Sequence, residues 1–149
     1  MKEYDGKITV VFKHYPLEMH NWAMKAALAT EAVFQLKPDA FWELHDQLFS
    51  VQKEIKVDNL DAEVEGFLKS NKIDIAEYQK KLASDSVKKA VERDLADVKA
   101  IGLRSGTPSY YIDGRFLAGA QPIDNFRKVI DEALSDAGLA KPASTTKAP

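Results

Sequence analysis

Gly106-Thr107-Pro108 runs directly into an apolar strand, Ser109 to Ile112, and Asp113-Gly114 then turns the chain back into Arg115 to Leu117. Asp-Gly between two strand-like runs is a strong hairpin signal, because both turn residues must tolerate positive φ. On its own, Pro108 reads as the start of an edge strand, where its missing N–H does no harm. None of the 149 residues is cysteine, so the chain holds no disulfide, thiolate ligand or sulfur nucleophile. Cysteine usage therefore says nothing about its redox compartment.

Upstream of the hairpin the pattern is mostly helical. Lys7 to Lys13 reads as a strand, with Ile8, Val10, Val11 and Phe12 apolar, and Tyr15-Pro16 ends it. Helical periodicity follows from about Asn21 to Gln35, with Ala23, Ala26, Ala27 and Val33 or Phe34 at core spacing. Phe41, Leu44, His45 and Leu48 share one face of a second helix opened by Pro38-Asp39. Asp58 or Asn59 can cap a third helix carrying Leu60, Val64, Phe67 and Leu68, and Asp74 opens a fourth around Tyr78. Ser84 or Asp85 starts a fifth, whose expected stripe is Val87, Val91, Leu95, Val98 and Ile101, closed by Gly102. After the hairpin, Pro122 opens a last helix with Ile123, Phe126, Ile130 and Leu134 inward. Residues 139–149 read as a disordered tail. Strand, helices, hairpin and helix in that order make an α/β protein with a helical insertion.

Charge and composition remove several function classes. A net charge of -2 gives no electrostatic reason to expect nucleic acid or an anionic membrane as partner. No apolar run approaches the length of a bilayer, and Met1 to Lys7 lacks the apolar stretch of a secretory signal. Lys80-Lys81 and Lys88-Lys89 are interleaved with Asp85, Glu92 and Asp94, which reads as a solvated helix face. No phosphate loop or Gly-x-Ser-x-Gly elbow occurs, and nothing calls for a cofactor. The histidines are His14, His20 and His45, and none has the spacing of a helical two-histidine metal motif. His14, after the first strand, reads first as a satisfied structural group and only second as a general base.

Four segments in order resemble the DsbA-type thioredoxin-like disulfide oxidoreductases. They are Val10 to Leu17, Phe41 to Phe49, Gly106 to Gly114, and Gly119-Ala120-Gln121-Pro122, spread over roughly residues 5 to 135. The resemblance implies a thioredoxin-like sheet with a helical insertion at about 20–101, residues 1–138 forming a partial domain. It also implies a cis bond before Pro108 and an extended protein or peptide substrate paired with the Thr107 backbone, making Gly106, Thr107 and Pro108 the substrate-binding residues. No catalytic residue carries over. The family's Cys-X-X-Cys lies at the start of a helix that follows a central first strand, and neither element is present here. That absent segment is roughly 30 residues or more, a strand plus a crossover helix.

Two expectations follow for the sheet and for function. Without the central strand, the hairpin and Lys7–Lys13 each keep an open edge, and open edges recruit other chains, including further copies of this one. The chain is expected to be either a portion of a thiol-disulfide oxidoreductase or a cysteine-free peptide-binding or interaction module. A histidine-dependent enzyme is a weaker third. The family resemblance implies a periplasmic or other extracytoplasmic setting.

Overall fold

α1, Ala23–Leu36, forms from an Ala-rich run whose first β-branched residue is Thr30, so little side-chain entropy opposes it. Ala27, Ala29, Thr30, Glu31, Ala32 and Val33 are all buried along it. A helix covered on so many sides is the centre of its unit, not a surface element. The computed structural model describes residues 2–103 and 106–139. They divide into two units, one spanning Lys13–Gly102 and the other joining the residues up to Phe12 with those from Leu103 onward.

The Lys13–Gly102 unit is helical. After α1 come a 3₁₀ turn at Pro38–Ala40, then α2 Phe41–Ser50, α3 Leu60–Ser70, α4 Ile75–Leu82 and α5 Asp85–Ala100. α1 packs against α2, α4 and α5, and α3 bridges α2 and α4. Leu44, Leu60, Leu68, Val33, Val87 and Val91 are the largest fully buried side chains. The Asp74 carboxylate accepts the Glu77 N–H at 2.8 Å, so α4 starts where its capping residue says it should. Asn59 precedes α3 but does not cap it. Its Oδ1 accepts the Lys56 N–H at 2.7 Å and its Nδ2 donates to the Glu54 carbonyl at 2.9 Å, which ties the preceding loop instead.

The other unit carries the sheet. β1, Ser109–Ile112, pairs antiparallel with β2, Arg115–Ala118, in the register Ser109↔Ala118 to Ile112↔Arg115. Asp113 and Gly114 take φ of 49° and 79°, the two positive values that a two-residue hairpin needs. α6, Ile123–Asp136, packs on β1, with Tyr110 and Phe126 edge-to-face at 4.8 Å. The N-terminal 3₁₀ turn Lys2–Tyr4 is tied to α6. The Tyr4 hydroxyl donates to Asp131 at 3.1 Å, and Arg127 clasps Glu3 through two 2.9 Å bonds. Burial and the neighbouring Asp131 carboxylate push the Tyr4 phenol up to about 12.

Three sequence expectations are corrected. Lys7–Lys13 is not a strand: Lys7 closes a turn on the Tyr4 carbonyl, and residues 8–17 join no ladder among the described residues. A strand exists only within a ladder, and the ladder of the described residues holds β1 and β2 alone. Ile123 and Ile101, expected inward, are 60% and 52% exposed, because each lies at a helix end that turns past its neighbours. Phe34 faces outward, leaving Val33 to fill the core. The expected disordered tail falls, beyond Leu139, outside the described residues.

Leu44→Ala should therefore cost about 2–5 kcal/mol in urea denaturation, the usual range for a cavity in a closed core. Ile123→Ala should stay within about 0.5 kcal/mol. Equal losses at the two positions would contradict the packing.

Candidate functional site

Gly106, Thr107 and Pro108 are exposed and stand immediately before β1. The Thr107–Pro108 peptide bond is cis. Two bonds shape this entry. The Ser109 hydroxyl donates to the Gly106 carbonyl at 2.6 Å, and the Gly119 N–H donates to the Pro108 carbonyl at 2.8 Å. The second bond sets the phase of the ladder. Pro108 and Gly119 are a hydrogen-bonded pair, so by antiparallel alternation Tyr110 and Ile112 turn their backbone groups toward β2. Ser109 and Tyr111 turn theirs toward the other edge of β1. That sheet contains two strands among the described residues, so β1 has one strand neighbour. On the hairpin face opposite α6, the Tyr111 and Phe116 rings meet across the strands at 5.0 Å, tilted by 43°, each nearly half exposed.

The histidines are dispersed. His20 is exposed and stacks on Trp22 at 5.6 Å. His45 bonds Asp46 at 2.9 Å and lies in an aromatic row along α2, with Trp42 at 5.3 Å and Phe49 at 4.7 Å. Only His14 is buried, 6% exposed, and it sits edge-on to Phe41. No group of three His, Asp or Glu among the described residues is arranged to hold a metal ion. A shallow hollow of about 460 Å³ at the α3–α4 turn, lined by Lys69, Lys72, Ile73, Asp74, Ile75 and Ala76, contains none of the expected site residues.

Around His14 the structure assembles a polar node that sequence reading missed. Asp94 is buried and accepts twice: the His14 N–H at 3.0 Å on one oxygen and the Lys13 ammonium at 2.9 Å on the other. Asp97 also takes the Lys13 ammonium, at 2.8 Å. The His14 Nε2 lies 3.7 Å from the buried Glu31 carboxylate, which accepts from Gln35 at 2.8 Å. Gln35 in turn accepts from Ser86 at 2.7 Å, so the node spans α1 and α5. A signal for Asp94 was present. The buried positions of α5 are Val87, Val91, Asp94 and Val98, so the aspartate occupies a core place in the stripe where Leu95 was expected.

Burial lowers the His14 pKa from its ordinary 6.5, opposed by the Asp94 charge and reinforced by His45. The imidazole is accordingly neutral at neutral pH, tucked away from solvent, a poor place from which to serve a substrate as general base.

Against this geometry the comparisons with known proteins are direct. A thioredoxin family model matches residues 1–132. The chain belongs to the thioredoxin family. Within it the likeness is to DsbA-type proteins. The probable disulfide bond formation protein D of Bacillus anthracis is 29% identical over 133 residues, covering 87% of this chain and 59% of that protein. A crystal structure of Proteus mirabilis ScsC in a compact conformation superposes with a TM-score of 0.69 at 28% identity, covering 91% of this chain and 71% of that one. The Na(+)/H(+) antiporter NhaA 1 of Salinispora arenicola is 30% identical over 135 residues, 89% of this chain but 19% of that protein. The chain thus spans about three-fifths of the disulfide bond formation protein and a fifth of the antiporter. The fold is thioredoxin-like with a helical insertion, and among the described residues its sheet has two strands, β1 and β2. No helix among the described residues is long and apolar enough to cross a membrane.

Two tests of the node follow. For His14, the unfolded chain takes up a proton as pH falls through 6.5 while the folded chain, with its lowered pKa, does not. Stability should be flat in this respect above 6.5 and fall below it until the folded value is passed. In urea midpoints measured between pH 7.5 and 5.5, about the histidine range, His14→Gln should flatten that slope. An unchanged slope would remove His14 from the account. Asp94→Ala should cost at least about 1–3 kcal/mol, because it leaves the buried His14 N–H without its acceptor.

Proposed function

We propose that this chain is the substrate-holding portion of a DsbA-like thiol-disulfide oxidoreductase, exchanging disulfides with protein substrates once joined by a strand and a Cys-X-X-Cys helix. The observation that carries the reading is the edge of β1 away from β2, which no strand among the described residues covers, entered through the exposed Gly106-Thr107-Pro108. Its support is the run of relatives named for disulfide bond formation. The chemistry divides cleanly. A thiolate attacks a substrate disulfide sulfur, a mixed disulfide forms, and the substrate's other sulfur leaves as thiolate. With no cysteine, this chain supplies none of those sulfurs. Its part is to hold an extended substrate against the Thr107 backbone, with Gly106 and Pro108 keeping the approach clear, a form of strand addition. Residues 1–138 would act as one domain with the insertion at about 20–101. The setting would be periplasmic or otherwise extracytoplasmic, where disulfides persist.

A second reading is favoured by the lack of cysteine: a module that binds extended peptides at Thr107-Pro108 with no redox step. Strand addition at the hairpin would equally allow pairing with another copy of the chain.

A synthetic segment carrying an apolar strand followed by a Cys-X-X-Cys helix separates the readings. This chain alone should not exchange disulfides with a cystine-containing peptide, the segment alone should do so only at the rate of a free dithiol, and the mixture should be faster than the segment. Thr107→Pro, which deletes the backbone donor at that position, should lower kcat/KM of the mixture roughly tenfold, the net worth of one hydrogen bond. Peptide binding without exchange, together with a stop codon close upstream of the Met1 codon, would leave only the second reading.

A further inference from the structure

The approach to β1 is held by its carbonyls, one on each side of Thr107. The Pro108 carbonyl accepts the Gly119 N–H at 2.8 Å, a main-chain bond. The Gly106 carbonyl accepts the Ser109 hydroxyl at 2.6 Å, and that bond depends on a side chain. It matters because Gly106 is otherwise the least restrained link in the run. Glycine has the widest backbone freedom of any residue, and beyond its chain neighbours a Cβ at this position would meet nothing within 4 Å. Packing therefore does not fix the Gly106 carbonyl; the Ser109 hydroxyl does. A peptide group is planar, and the Gly106–Thr107 bond is trans, so its N–H points opposite to its carbonyl. Holding the Gly106 carbonyl toward Ser109 thus aims the Thr107 N–H the other way.

We propose that Ser109 is a positioning residue for the extended substrate: by holding the Gly106 carbonyl, it aims the Thr107 N–H at a substrate carbonyl. The proposal rests on the reading of Thr107 as the substrate-pairing residue. To that reading it adds the side chain that orients the pairing and touches no reacting sulfur. Ser109 acts from the first residue of β1, where the pairing of β1 with β2 keeps its Cα in place. A donor already aimed loses less freedom when the substrate arrives, so the bond shows as affinity for substrate more than as fold stability. With alanine at 109 the peptide plane ahead of Thr107 is left for the substrate itself to order.

Titration of this chain with a cystine-containing peptide, followed at the Thr107 amide resonance, tests this with no thiol on the protein. Ser109→Ala should weaken binding roughly tenfold, the net worth of one hydrogen bond. Ser109→Thr, which keeps a hydroxyl on the same Cβ, should restore it. The Tyr110 and Ile112 amides, which bond to β2, should keep their exchange protection in both variants, a result that fraying of the hairpin would not give. Ser50→Ala removes the same kind of bond in the helical unit, a 2.7 Å contact from hydroxyl to the carbonyl three residues back, and should leave binding unchanged. Ser109→Ala that binds as tightly as the wild-type chain, or that weakens only in step with lost protection at Tyr110 and Ile112, overturns the proposal while the peptide-holding reading stands. A wild-type chain whose Thr107 resonance never moves with peptide overturns both.

Discussion

Every backbone N–H and carbonyl taken from water must find a partner, and among the described residues a ladder supplies partners between β1 and β2 alone. A two-stranded ribbon is marginal by itself, so something other than its ladder must hold it. The type I′ geometry at Asp113-Gly114 fixes the register, and α6 covers one face through the Tyr110–Phe126 contact. Arg115 on β2 pairs with Asp136 at the end of α6, while Glu3 and Tyr4 bind the same helix from the N-terminal side. The exposed ion pairs here contribute little each, because water and salt screen them. The buried Tyr4 bond to Asp131 contributes more, and α6 serves as the spine to which both ends of the unit are tied.

The helical unit faces no such demand. Helices satisfy their own backbone, so five of them can close a core without borrowing a strand. α1 occupies the middle of that core, and its buried Thr30 and Glu31 are both satisfied, Thr30 by the Ala26 and Ala27 carbonyls. Where the chain enters this unit, Asp94 takes over the work of a ladder, accepting the His14 N–H that a neighbouring strand would otherwise take. A single carboxylate there holds backbone and Lys13 together.

What was legible in the residues was local. The Asp-Gly turn, the Asp74 cap, Gly102 after α5 and the apolar faces of α2 and α3 all depend on interactions within a few residues. Two of the failures share a cause. Ile8 to Phe12 has strand composition, but a strand is made by its neighbour, which composition does not report. Asp94 fills an apolar stripe position, and reading a stripe by apolarity passes over a charge whose partners lie some eighty residues away. Ile123 failed differently: a periodicity names a face without saying how far along the helix that face stays covered.

The placement of Gly106-Thr107-Pro108 was legible for a further reason. The tripeptide precedes the most strongly signalled turn in the chain, so its position relative to β1 followed once the hairpin was fixed. Position is also what separates it from the sulfur chemistry of its relatives. Holding an extended segment by backbone contacts asks for a clear approach and a strand edge, not for a reactive side chain. Attacking a disulfide asks for a low-pKa thiolate at a helix N-terminus. Those two requirements fall on different stretches of chain, so one can be present without the other. The outer edge of β1 bears on the first requirement alone, since strand addition uses backbone groups such as those Tyr111 turns outward and asks nothing of a side chain.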